Sequence, residues 1–192
     1  MTQKSEAQKA NITPEMEVVA KQENIDVNKL VRLIADGKVV IPKNVHRDSK
    51  ACGIGEGLTT KINANIGSSS KIDDLDLEVN KAKLAVEYGA DAIMDLSTGS
   101  DLKLFRQKIM GAVDVIIGTV PVYEAGVVTL SKNKEIVDMD PDDIFKAIEN
   151  QAREGVDFMT LHCGITKDLV SKLENQNRMM GIVSRGGTFM AS

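Results

Sequence analysis

The hydrophobic pattern of the chain changes rhythm near residue 60. Before that point, residues 1–12 are polar and predict a frayed end. Thr13-Pro14-Glu15 predicts a helix start: Thr caps, Pro takes the first helical position, and Glu favours the positive end of the helix dipole. Val27, Leu30, Val31 and Ile34 fall on one helical stripe over residues 26–36, which Gly37 stops. Lys38 to Pro42 predicts a short strand ended by proline. Residues 43–59, with Gly53, Gly55 and Gly57, predict a flexible loop leading into the next strand. The glycine spacing is not a dinucleotide fingerprint, since it is not set between a strand and a capped helix.

Beyond residue 60 the periods alternate. Thr60–Ile66 predicts a strand, and Ile72–Tyr88 a helix with Leu75, Val79, Ala82 and Val86 on one face. A strand follows at 91–95, a helix at 102–110 capped by Ser100, and an apolar strand at 113–119. Residues 120–139 are mixed. Asp140-Pro141-Asp142-Asp143 predicts a strong helix start, with Ile144, Ile148 and Ala152 on one face and Gly155 as the stop. A strand over 156–162, a helix from Lys167 to about Asn177 capped by Thr166, and a fifth strand opening at Gly181-Ile182-Val183 complete the series.

Strands alternating with helices predict an α/β fold of parallel βα units. On this pattern both doubly wound and barrel architectures stay open. Four complete units and a fifth strand are too few for a closed eight-stranded barrel. The organisation is therefore an N-terminal arm and loop over 1–59 and a βα region over 60–192. Ser192 falls a few residues into the next expected helix and reads as a cut.

Composition narrows the function classes. Of 192 residues, 42% are hydrophobic and 27% charged, the balance of a globular protein. Aromatics are 3%, so the core is aliphatic, with nine Met as adaptable filler. A net charge of −4 argues against electrostatic nucleic-acid binding. No apolar run reaches the roughly 18 residues of a membrane span, and no signal-peptide pattern opens the chain, so a cytoplasmic setting is expected. Two cysteines, Cys52 and Cys163, supply neither a disulfide framework nor a complete metal or iron–sulfur site. Cys163 reads as a buried filler, and the acidic run 73–76 as a solvated helix start.

Polar residues gather where the strands end: Asn63 and Asn65, then Asp95, Ser97 and Thr98, then Thr119 and Tyr123, then His162 and Cys163, then Ser184 and Arg185. Ligands bind at the carboxyl ends of parallel strands. The amide of Asn65 offers hydrogen bonds to ligand heteroatoms, and neutral His162 can donate or accept. Met94 reads as core. Ser184-Arg185-Gly186-Gly187 predicts an anion-binding turn, with Arg for bidentate contact and glycines for close approach.

The strings TKINANIGSSS, DAIMDLSTG, IIGTVPVYEA, FMTLHCG and GIVSRGG, with VVIPKN and CGIGEGL upstream, resemble the N-terminal part of the phosphomethylpyrimidine synthase family from about residue 25 onward. The resemblance implies about half of a TIM-type (β/α)8 barrel with a small helical arm. It implies a radical S-adenosylmethionine enzyme of thiamine biosynthesis, a carbon–carbon lyase. Such an enzyme rearranges aminoimidazole ribotide into 4-amino-5-hydroxymethyl-2-methylpyrimidine phosphate. An iron–sulfur cluster (4Fe-4S) cleaves the S-adenosylmethionine, and zinc is a further expected cofactor. By motif, ribotide contacts fall on Asn65, Met94, Tyr123 and His162, and the phosphate turn on Ser184, Arg185 and Gly186. The family's metal-binding histidines and cluster cysteines have no counterpart here, so this chain alone is expected to hold part of the substrate site without catalysis. The alternative is a natural half-barrel that binds ribotide or phosphate without chemistry. Exposed sheet edges in such a half-barrel imply a homo-oligomer.

Overall fold

The computed structural model describes residues 2–173 and 179–192. The arm is better ordered than its composition suggests. Instead of fraying, residues 3–8 form α1 (Gln3–Gln8), because Thr2 and Ser5 make a reciprocal capping box. Thr13 caps α2 (Pro14–Gln22), as the sequence predicts, and α3 (Val27–Ala35) begins one residue past the expected start because Asp26 is its cap. Met16, Val19, Leu30, Ile34 and Val39 close an aliphatic core between these helices.

The segment 43–59 is not a loose lead. β1 (Val39–Val40) pairs antiparallel with β2 (Ile54–Gly55). Arg47 donates through Nη1 to the Val115 carbonyl at 2.8 Å and through Nη2 to the Val113 carbonyl at 2.6 Å. A polar side chain with many fixed donors thus ties a glycine-rich stretch down.

The βα region is one parallel sheet with its strands in chain order: β3 (Asn63–Ile66), β4 (Ala92–Asp95), β5 (Ile116–Thr119) and β6 (Phe158–Met159). α4 (Leu75–Glu87) and α5 (Leu102–Ala112) lie between β3, β4 and β5 in the chain. Asp101, not Ser100, caps α5. Ser100 donates instead to Asp73 Oδ2, by its hydroxyl at 2.5 Å and its N–H at 2.9 Å. The mixed stretch after β5 is α6 (Pro121–Ser131) and a 3-10 turn (Ile136–Asp138). Val120 at the α6 N-cap makes no side-chain cap, so the usual start signal is missing. α7 (Pro141–Glu154) follows, capped by Asp140. Its inward stripe carries Ala147 and Gln151, whereas Ala152 is exposed.

Alternation along the strands divides the sheet into two faces. Ile66, Ile93 and Ile117 pack with Ala82 of α4 and Ile109 of α5. Ala92, Ile116 and Phe158 face the other way and meet Cys52. Asn65, Met94 and Gly118 share a register row on that second face. The expected fifth strand is absent: 181–183 form no ladder, and α8 (Lys167–Leu173) is followed by α9 (Arg185–Ala191) after residues outside those described. Ile182 and Val183 carry β propensity, but propensity alone does not place a segment on the open outer edge of β6. The expected helix end near Asn177 lies outside the described residues. The parallel sheet among the described residues has four strands. No helix among the described residues is long and apolar enough to cross a membrane.

Candidate functional site

The strand ends and α9 converge on one cluster. His162, three residues past β6, places Nε2 at 3.1 Å from Ser184 Oγ. The same Oγ accepts the Gly187 N–H at 3.2 Å and caps α9. His162 Nδ1 is buried and has no hydrogen-bond partner among the described residues. The ring lies so close to Gly186 that a Cβ there would sit 2.1 Å from Cε1. Only glycine admits this approach.

Arg185 extends from the next position. Its guanidinium lies 5.5 Å from the Tyr123 ring centroid, a cation–π contact. Nη1 lies 3.5 Å from Thr98 Oγ1. Phe189, one helical turn on from Arg185, meets Tyr123 edge to face at 6.1 Å. Arg185 and Ser184 are exposed, and Tyr123 is half-buried.

Thus Tyr123, His162, Ser184, Arg185 and Gly186 come together, with Thr98 beside them. Asn65 and Met94 stand on β3 and β4, one residue apart in the same row. Asn65 is exposed and accepts from Asn63 Nδ2 at 3.1 Å; Met94 is half-buried, not core. No hydrogen bond among the described residues joins these two to the Arg185 cluster.

Behind the strand ends, on the helical face, Asp95, Ser97 and Thr119 join a polar layer whose helix members, Arg106, Glu124, Gln151 and Glu154, sequence reading missed. Asp95 accepts from Ser97 N at 3.0 Å and Ser97 Oγ at 2.5 Å. Burial pushes its carboxyl above the ordinary range, against the pull of these bonds and of Arg106. Arg106 Nε donates to Glu154 Oε2 at 2.8 Å. Its Nη2 stands 3.1 Å from Glu124 Oε2 and 2.8 Å from Glu154 Oε2, as charge contacts. Gln151 Nε2 donates to Glu124 at 2.6 Å and its Oε1 accepts from Thr119 at 2.6 Å. The signal was a lone Arg in the apolar run LFRQKIM and a Glu in a first turn after Pro121.

The two thiols divide. Cys52 is buried, and burial pushes its thiol up; Cys163 is exposed, which corrects its reading as a buried filler. A cluster of four irons takes three or four cysteine thiolates, and this chain has two cysteines in all. Its residues therefore do not fit the cluster. Among the described residues no three His, Cys, Asp or Glu side chains gather as a metal site.

The model of the family described as "Radical SAM ThiC family" matches residues 2–192. Phosphomethylpyrimidine synthase 2 of Methanothermobacter thermautotrophicus is 62% identical over 192 residues, all of this chain and 45% of the relative. Phosphomethylpyrimidine synthase 1 of Methanosphaera stadtmanae is 58% identical with the same coverage of both chains. The phosphomethylpyrimidine synthase of Methanocaldococcus jannaschii is 55% identical, again over this whole chain and 45% of the relative. The chain thus spans a little under half the length of the curated relatives it matches. With its family model matched from residue 2 to residue 192, the chain belongs to the radical SAM ThiC family.

Proposed function

We propose that this chain is the ribotide-holding N-terminal part of a phosphomethylpyrimidine synthase. In that role it serves the conversion of aminoimidazole ribotide into 4-amino-5-hydroxymethyl-2-methylpyrimidine phosphate for thiamine. The observation that carries the reading is the convergence of Tyr123, His162, Ser184, Arg185 and Gly186 in a chain 62% identical to a protein of that name.

Each residue then has a task. Arg185 and the Ser184 hydroxyl take the phosphate, Arg by charge-assisted forked donation. Tyr123 keeps the guanidinium raised from the surface. Gly186 leaves room for the His162 ring. His162 Nδ1, without a partner among the described residues, is left to hydrogen-bond a ligand heteroatom. Asn65 offers its amide to the aminoimidazole, and Met94 a soft apolar wall. Together they bind and orient; none moves an electron.

S-adenosylmethionine, a 4Fe-4S cluster and zinc belong to the whole family protein, a carbon–carbon lyase. The cluster supplies reductive cleavage of S-adenosylmethionine when bound. The two cysteines of this chain do not fit the cluster, and its described residues gather no zinc site, so no step is assigned through either. The 192-residue chain is accordingly inactive alone. It is a cytoplasmic protein in this reading, and its free sheet edges at β3 and β6 pair in a homo-oligomer.

Calorimetric titration of the chain with aminoimidazole ribotide tests the proposal. Saturable one-to-one binding, weakened about tenfold or more by Arg185→Ala, is expected for loss of a charged phosphate contact. Absence of binding, or binding indifferent to Arg185→Ala, would overturn it.

A further inference from the structure

We infer that Glu124, held by Arg106 and Gln151, is a positioning residue for Tyr123 and through it for Arg185; this rests on the ribotide reading above. The starting observation is a deficiency. α2, α3, α4, α5 and α7 each begin at a side chain that accepts a backbone N–H, whereas α6 begins at Val120 with no side-chain cap. Yet the first turn of α6 carries Tyr123, the ring under Arg185. Something else must hold that turn in place.

Glu124 does so from the adjacent position. Its Oε2 takes the Gln151 Nε2–H at 2.6 Å and faces Arg106 Nη2 at 3.1 Å. Both partners are buried: Arg106 is 3% exposed and Gln151 1%. Gln151 is in turn fixed by the Thr119 hydroxyl at the end of β5, and Arg106 by Glu154. A single carboxylate oxygen therefore ties the α6 turn to α5, to α7 and to the end of β5. Neighbours in sequence on a helix point about 100° apart. Gripping Glu124 on one side sets the azimuth of Tyr123 on another. The ring direction then decides where the Arg185 guanidinium rests, since the cation follows the ring face.

The chain provides its own reporter. It has no tryptophan and two tyrosines, and Tyr88 is 83% exposed. Tyr88→Phe leaves Tyr123 as the one tyrosine, excited beyond the phenylalanine absorption band. In that background, Glu124→Ala and Glu124→Gln are compared with Arg185→Ala, with circular dichroism confirming the fold. Glu124→Ala is expected to shift Tyr123 emission toward that of Arg185→Ala and to weaken aminoimidazole ribotide binding about fivefold. Glu124→Gln, which keeps an acceptor for Gln151 but loses the charge facing Arg106, falls between. If Glu124→Ala does not fold, Glu124→Gln decides alone. Folded variants with parental emission and affinity, or a shifted emission with parental affinity, overturn the inference. Parental ribotide affinity in Arg185→Ala would instead sink the ribotide reading, and the emission comparison would still show whether Glu124 sets Tyr123 against Arg185.

Discussion

Arg47 and Asp157 close the arm onto the sheet through a buried ion pair, Nη1 to Oδ2 at 2.7 Å, with the Asp157 side chain fully buried. The carboxylate also accepts from Asn44 N, Ser49 Oγ and Ile117 N, each at 2.9 Å. A buried carboxylate with four donors is satisfied; stripped of its cation it is not. Arg47→Ala should therefore cost about 3 kcal/mol in unfolding by urea. A loss below about 1 kcal/mol would mean that the arm does not depend on this pair.

Gly186 and Gly187 separate a site requirement from a general one. A Cβ on Gly186 meets the His162 ring at 2.1 Å, whereas on Gly187 its nearest neighbour is Ile182 Cγ2 at 3.0 Å. Gly186→Ala should cost about 1–3 kcal/mol and displace the ring from Ser184. Gly187→Ala should be milder in thermal melts and leave the His162 ring resonances unchanged. Equal effects of the two variants would remove the special standing of Gly186.

Asp95 gives a pH signature with a definite sign. Its folded carboxyl titrates above its ordinary value of 3.8, first because of burial. The folded state then binds the proton more tightly than the unfolded chain does. The group's favourable contribution is present in acid and is lost as pH rises from the ordinary value through the raised one. Asp95→Asn keeps an acceptor for Ser97 and removes that loss. It should stabilise the protein at neutral pH while gaining little in acid. A variant less stable than the parent at neutral pH would show that the ionised carboxylate, with Arg106, is the favoured form.

Two cysteines set a further expectation. The chain incubated with iron, sulfide, reductant, S-adenosylmethionine and aminoimidazole ribotide should yield no pyrimidine phosphate. Mass spectrometry that finds product would contradict the assignment of the chemistry to residues outside this chain.

How legible all this was depended on whether the signal was local. Helix starts at Thr13 and Asp140 were readable because each is a side chain capping its own next turn. The four parallel strands were readable from apolar runs between turn residues, although their ladders are shorter than those runs. α6 was hidden because Val120 gives no cap and its anchor, Glu124, finds Gln151 27 residues away. The Arg47 latch spans 110 residues to Asp157 and leaves no periodic trace. Strand propensity at 181–183 misled, because propensity does not say whether a segment docks on the open edge of β6. Of the site, the order of polar strand ends was visible in advance. That His162 reaches Ser184 and Arg185 reaches Tyr123 was not, since a sequence does not say how far α9 folds back.

Amide chemical-shift mapping during titration with aminoimidazole ribotide tests the central claim most directly. The account predicts saturable shifts at Ser184, Arg185, Gly186, Gly187 and His162, with Asn65 and Met94 following as the ring end of the ligand settles on the sheet. Shifts confined to the arm cleft lined by Lys43, Asn44, His46 and Arg47, or none at saturating ribotide, would contradict it.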